Sequence, residues 1–117
     1  MAQHLETGKQ GEDLAAQHLR RQGYDILERN FRHQHAEIDL IATKDNVLVF
    51  VEVKTRSNTS HGDPEVFVSW TKVRLLKRAA EQYIFAKDWP FDVRFDIVAV
   101  TFRNGATQVR HLEDAFS

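Results

Sequence analysis

The chain contains no cysteine, which excludes both a disulfide framework and a thiolate metal site. No stretch approaches the roughly 20 apolar residues of a membrane-spanning helix. The opening residues, MAQHLETGKQ, hold no apolar signal-peptide core. A cytoplasmic protein with no membrane partner is therefore expected. Net charge is nearly absent as well: a formal −1 over 117 residues excludes a protein that coats nucleic acid by bulk charge, while leaving room for a local basic patch. Internal repeats and low-complexity tracts do not occur. What remains, 42% apolar and 28% charged residues, is ordinary globular composition. The length suits a single domain, residues 1–117, around one core.

The most informative stretch is EIDLIATKDNVLVFVEVK, residues 37–54. It reads as two strands around a tight turn at Asp45-Asn46, residue types that tolerate positive φ. Strand alternation places Glu37, Asp39 and Ile41 on one face of the first strand. On the second, Val47, Val49, Val51 and Val53 take one face, and Leu48, Phe50, Glu52 and Lys54 the other. With Lys44 opposite Val47, Asp39 falls opposite Glu52 and Glu37 opposite Lys54. Two carboxylates set across a strand pair repel one another, and a strand apolar on both faces is usually covered on both. Burying that charge requires compensation, and a divalent cation such as Mg²⁺, commonly held by one or two carboxylates, supplies it. The plainer alternative is a solvent edge, with Glu37 and Lys54 as an ordinary cross-strand ion pair.

Elsewhere, residues 8–22 read as a helix closed by Gly23. Leu5, Gly8, Ala15, Ala16 and Leu19 share its apolar arc, with Glu12 in the middle. The small residues Gly8, Gly11, Ala15 and Ala16 would let this helix approach the sheet and aim Glu12 at the hairpin. Residues 24–31 resemble a strand whose pattern is broken by Leu27 and Arg29. The polar stretch at 57–65, with Gly62 and Pro64, has loop composition and borders the candidate site, as a lid or as a plain connection. A second helix over residues 69–87 buries Val73, Leu76, Ala80, Tyr83 and Ile84 and is ended by Asp88-Trp89-Pro90, Pro90 being unable to continue it. Its cations Lys72, Arg74, Lys77 and Arg78, with Lys54 and Arg56, form the densest basic region of the chain, suited to a phosphate backbone. Residues 93–101 read as a buried strand in which Asp96 pairs with Arg94 or Arg56 rather than with a metal. Asn104-Gly105 then turns into a last strand near residues 107–111. The order α-β-β-β-α-β-β implies an α/β or α+β domain with a mixed central sheet flanked by helices.

These pieces resemble the PD-(D/E)XK nuclease superfamily, with its restriction-endonuclease-like core. Asp39 matches the acid of the second strand, and Glu52-Val53-Lys54 the acidic-x-Lys triplet of the third. Glu12, preceded by Gly11, matches the extra glutamate of Holliday-junction resolvases. More narrowly, the chain is similar to the YraN-like family of small bacterial proteins through GKQGEDLA (8–15), ERNFR (28–32), EIDLIA (37–42), VFVEVKTR (49–56), RFDIVAV (94–100) and HLEDAF (111–116). Ile38 stands at the superfamily's proline, and Ala36 where the narrower family has glycine. The resemblance implies metal-dependent hydrolysis of DNA phosphodiester bonds, with catalytic residues Glu12, Asp39, Glu52 and Lys54. Mg²⁺ or Mn²⁺ would be held by Asp39, Glu52 and Glu12 with the Val53 carbonyl. Lys54 would orient water or stabilise charge on the phosphate. Glu37 would tune Lys54, and Arg56, Lys72, Arg74, Lys77 and Arg78 would position the DNA backbone.

Two rival readings follow from the same residues. One is a non-catalytic nucleic-acid-binding module acting with a partner. The other is a transition-metal site, since His35, Glu37 and Asp39 repeat at period two with His33 nearby, and neutral imidazoles suit zinc. Analogy with resolvases points to branched DNA; symmetric cutting of a junction would favour a homodimer, and a nuclease this small would need a helicase or motor partner to bring it substrate.

Overall fold

The computed structural model describes residues 2–57 and 68–116, with side chains from residue 8 onward. Helix α1 (Ala2–Arg21) is followed by strands β1 (Asp25–His33), β2 (Ala36–Lys44) and β3 (Val47–Ser57). Helix α2 (Trp70–Lys87) and strands β4 (Asp92–Arg103) and β5 (Ala106–Leu112) complete the chain. The element order is the one the sequence patterns predict. The loop expected at 57–65 lies, beyond Ser57, outside the described residues.

The five strands form one sheet in the order β1-β2-β3-β4-β5. Neighbours are antiparallel except β3 and β4, which run parallel over eleven residue pairs from Val47↔Asp92 to Ser57↔Phe102. A parallel pair needs a crossover, and α2 lies within that crossover. Two of the hairpin turns sit where their chemistry allows left-handed backbone: Asp45 and Asn46 at φ 52° and 64°, Asn104 and Gly105 at 48° and 78°. Gly23 closes α1 at φ +96°. Helix α2 ends at Asp88, which adopts the left-handed conformation at φ 50° and donates its N–H to the last carbonyls of the helix. The stop therefore falls at the first residue of the Asp88-Trp89-Pro90 segment expected to make it, by left-handed capping at Asp88 before Pro90 is reached.

Each face of the sheet is covered by one helix. Ala15, Ala16 and Leu19 of α1 pack on Leu40, Ala42, Val49, Val51, Val98 and Val100. Leu76, Ala79, Ala80 and Tyr83 of α2 pack on Ile38, Ile41, Leu48 and Phe50. This explains why β3 is apolar on both faces: both are buried. It also shows where simple alternation fails. Ile38 packs toward α2 and Leu40 toward α1, although residues two apart in a regular strand share a face. The alternation breaks at Asp39. On the neighbouring strand Asn30, at φ 55°, separates Arg29, which reaches α1, from Phe31, which packs toward α2. The predicted grouping of Asp39 with Ile41 on one face is thereby corrected. The irregular pattern around Leu27 has its own cause, a register shift between Ile26 and Glu28.

Helix α1 lies close against β3 at Gly11, where an added Cβ would lie 2.1 Å from Thr55 Oγ1 and 3.0 Å from Thr55 Cβ. The same atom at Gly8 would meet nothing within 4 Å. Of the small residues expected to permit close approach, Gly11 is required and Gly8 is not. Two substitutions of equal helix propensity should therefore differ in sign. Gly8→Ala is expected to stabilise the fold by up to about 1 kcal/mol, and Gly11→Ala to destabilise it by about 1–3 kcal/mol through overpacking. Chemical denaturation of the two variants checks this, and equal effects would show that α1 does not press on Thr55.

Candidate active site

The hairpin register runs as predicted from Lys44↔Val47 to Leu40↔Val51. The ladder of paired residues ends there, so Asp39 and Glu52 do not extend it as the next cross-strand pair. The backbone N–H of Val53 donates instead to Asp39 Oδ2 at 2.7 Å. A buried N–H needs an acceptor, and where β2 leaves β3 a side-chain carboxylate takes that role. The strands part, and the acid sits in the gap.

Glu52, with its side chain 3% exposed, faces α2, and its Oε1 lies 2.5 Å from Lys72 Nζ. Among the described residues the other oxygen, Oε2, is buried without a hydrogen-bond partner. Asp39 is driven up from 3.8 to about 7, first by burial and then by repulsion from Glu52. The Val53 N–H and Lys72 offset this only in part, and Glu12 adds further repulsion. Burial acts against the charge of Lys72 too, but its bond and attraction to Glu52, with Asp39 and Glu37 beyond, hold it above the usual lysine range. Two carboxylates thus share one ammonium.

Glu12 lies on the opposite side of Asp39. Its Oε1 accepts from Arg29 Nη2 and Asn30 Nδ2, both at 3.0 Å, while Arg29 also bonds Asp13 at 2.6 Å. Glu12, Asp13, Arg29, Asn30, Asp39 and Thr55 line a cavity of about 680 Å³. Asp39 also borders a second recess, shared with His35, Glu37 and Lys72. The break in alternation is what gives it access to both sides of the sheet.

The remaining predicted residues separate into those near these carboxylates and those away from them. Val53 lines the larger cavity. Lys54 is half-buried two residues beyond Glu52 and makes no ion pair among the described residues. Glu37 does not reach Lys54; it pairs with Arg32 at 2.9 Å, because these residues face one another across β1 and β2. Lys72 is drawn inward to Glu52, whereas Arg56, Arg74 and Arg78 are exposed. Lys77 lies over the Phe95 ring. His35 belongs to the turn between β1 and β2 rather than to a strand face, and His33 ends β1. Among the described residues no three His, Asp or Glu side chains converge on one metal position. This holds for the histidine set and equally for a preformed triad of Glu12, Asp39 and Glu52.

Even so, the residues present fit a divalent cation. The donors are carboxylate oxygens, which suit Mg²⁺ and Mn²⁺. One donor atom, Glu52 Oε2, is buried without a partner, and the local charge is undercompensated. Arg29 and Asn30, which clamp Glu12, were not singled out from the sequence. Their signal was Arg29 and Asn30 interrupting an otherwise strand-like run, with Asn the side chain that most readily takes positive φ.

A second buried carboxylate makes the contrast. Asp96, fully buried, accepts Arg94 Nε and Nη2, each at 2.9 Å, and the Asp114 N–H at 3.0 Å, and meets His111 Nε2 at 2.6 Å. Burial opposes its charge, but His111, Arg94 and the Asp114 N–H together hold it below the usual carboxylate range. It is satisfied, and the pairing with Arg94 is one of the two partners expected.

The molecule is therefore a mixed five-stranded sheet between two helices, with an undercompensated carboxylate pair where the central hairpin opens. Sequence comparison places it more narrowly. Residues 11–100 match the model of the uncharacterised protein family UPF0102, and the chain belongs to that family. It is 47% identical over 116 residues to the UPF0102 protein FP2501 of Flavobacterium psychrophilum, covering 99% of this chain and 98% of that relative. A UPF0102 protein of Bacteroides thetaiotaomicron is 47% identical over 118 residues, covering 99% and 96%. One from Rhodococcus opacus is 41% identical over 119 residues, covering 99% and 100%. No helix among the described residues is long and apolar enough to cross a membrane.

The charge at Asp39 carries a stability cost with a definite pH dependence. Its carboxyl ionises near 3.8 when unfolded and near 7 when folded. Without a divalent cation, native stability should fall as pH rises between those values, by up to about 4 kcal/mol. Asp39→Asn keeps an acceptor for Val53 but cannot ionise. Thermal melts in chelator should show this variant gaining on the wild type at about pH 8 relative to about pH 5. An unchanged difference would mean that Asp39 ionises normally.

Proposed function

We propose that this protein is a divalent-cation-dependent endonuclease of the PD-(D/E)XK type, hydrolysing DNA phosphodiester bonds with branched intermediates as the favoured substrate class. The observation that carries this reading is the buried pair Asp39 and Glu52, which share a single ammonium while Glu52 Oε2 has no partner. A protein under selection for stability alone would not leave such a pair undercompensated. Asp39 and Glu52 would hold Mg²⁺ or Mn²⁺, with Glu12 across the cavity and the Val53 carbonyl as further oxygen donors. A cation there supplies Lewis-acid polarisation of a phosphate and acidifies a water.

The chain's own groups do the remaining work. Lys54, on the same strand as Glu52 and unpaired among the described residues, donates to a phosphate oxygen on which charge develops. Lys72, half exposed, can exchange Glu52 for a phosphate. Arg29 and Asn30 fix the rotamer of Glu12. Arg56, Arg74 and Arg78 face solvent and bind the backbone without reading sequence. A homodimer would suit symmetric cleavage of a junction, and a helicase or motor would deliver such a substrate. One observation favours the rival reading of a binding module: Lys72 already partly neutralises the site without any metal.

Cleavage of labelled junction, flap, duplex and single-stranded DNA with Mg²⁺ or Mn²⁺, together with Mn²⁺ calorimetry, separates the two. Under the nuclease reading, Asp39→Asn and Lys54→Ala each lower cleavage by about 10²–10³-fold. Metal affinity should fall in Asp39→Asn and Glu52→Gln but survive in Lys54→Ala. DNA binding with neither cleavage nor carboxylate-dependent metal binding would establish the module instead.

A further inference from the structure

The outward face of α2 is neither neutral nor purely charged. Helical geometry places Trp70, Arg74, Arg78, Glu81 and Phe85 within an arc of about 80°, opposite the stripe of Val73, Leu76, Ala80 and Tyr83 that packs on the sheet. Trp70 is 82% exposed and Phe85 86% exposed, the two most exposed large apolar side chains described. Isolated apolar side chains on a surface are ordinary; two aromatics bracketing two arginines on one helix stripe are not. The helix carries Lys72, Arg74, Lys77, Arg78 and Lys87 against one carboxylate, Glu81, in a chain of net charge −1. The helix is thus a basic element of the chain, with Arg74 and Arg78 on the outward stripe, Lys72 turned to Glu52, and Lys77 and Lys87 over the Phe95 and Tyr83 rings.

We infer that this face is a binding rail for single-stranded nucleic acid, in which Trp70 and Phe85 stack on unpaired bases while Arg74 and Arg78 hold the phosphates between them. Positive charge selects a polyanion. Exposed aromatic rings select one whose bases are unstacked and free to offer their faces, because in a duplex those faces are covered. The two rings are about 22 Å apart along the helix, so a strand engaging both lies along α2. Lys72, two residues on from Trp70, lies about 160° around the helix from it with its ammonium on Glu52, so the rail runs along the side of α2 turned away from the carboxylate pair. This face serves the reaction only if the nuclease reading holds; its grip on a strand can be measured without any cleavage.

The test is fluorescence polarisation of a labelled short oligothymidylate, and of a duplex of similar length, in chelator so that nothing is cut. Single strand should bind more tightly than duplex and quench Trp70. Trp89 supplies a steady background, since it is half-buried with its Nε1 bonded to the Asp92 carbonyl. Trp70→Ala should weaken single-strand binding about tenfold and Phe85→Ala several-fold, with Trp70→Phe restoring most of the loss. Arg74→Ala with Arg78→Ala should flatten the salt dependence for both substrates. Because both aromatics are exposed, these variants should melt like the wild type. Equal affinity of wild type and Trp70→Ala/Phe85→Ala for the single strand would overturn the rail, as would preference for duplex without quenching. So would no binding at all, which would leave the face to a protein partner. Cleavage assays separate the two ideas: cutting that persists without single-strand binding leaves the nuclease and removes the rail, and the converse leaves the rail alone.

Discussion

Where β2 departs from β3, the amide of Val53 loses the carbonyl that a continued ladder would provide. The candidate site follows from how that N–H is satisfied. Asp39 supplies the acceptor, and to do so it sits where the strand's alternation reverses, between Ile38 on one face and Leu40 on the other. Asn30 makes the matching reversal on β1 with positive φ. These two local departures bring a carboxylate to the seam between the sheet's faces, next to Glu52 on one side and Glu12 on the other. A regular hairpin would have kept Asp39 on a single face.

The described residues hold two buried acidic centres, and their difference is informative. Asp96 is surrounded by donors: a guanidinium, an imidazole and a backbone amide satisfy both of its oxygens and favour its charged form. Such a group fastens β4 to β5 and the segment beyond. Asp39 and Glu52 have one ammonium between them, an oxygen without a partner, and a carboxyl pushed toward neutrality. Burial is common to both centres. Compensation is not, and incomplete compensation is the property that leaves room for a cation or a substrate.

Helix packing keeps the second centre in place. Gly11 lets α1 close on Thr55, so that Glu12, one residue along, looks into the cavity rather than over the sheet edge. Helix α2, seated by Leu76, Ala80 and Tyr83 on Ile38, Ile41 and Phe50, carries Lys72 to Glu52 and turns Trp70, Arg74, Arg78 and Phe85 to solvent. The same helix thus closes the core with one face and presents aromatic and basic chemistry with the other.

Much of this was legible in the residues. The periodicities of Val47–Lys54 and of the second helix, the turn chemistry of Asp45-Asn46 and Asn104-Gly105, and the position of Gly23 determined the elements, their order and the hairpin register. Each depends on short-range sterics and on which face is apolar. The need for charge compensation was legible too, since a Glu inside an apolar strand demands it wherever it is placed. The partners were not. That Lys72 turns to Glu52 rather than to solvent, that Arg29 and Asn30 clamp Glu12, and that Glu37 takes Arg32 instead of Lys54 depend on packing between elements far apart in sequence. So does the reversal at Asp39, because alternation is the rule from which a strand reading starts. Sequence determined which groups must be buried or paired; only the tertiary structure decided with whom, because pairing depends on distances that local periodicity does not carry.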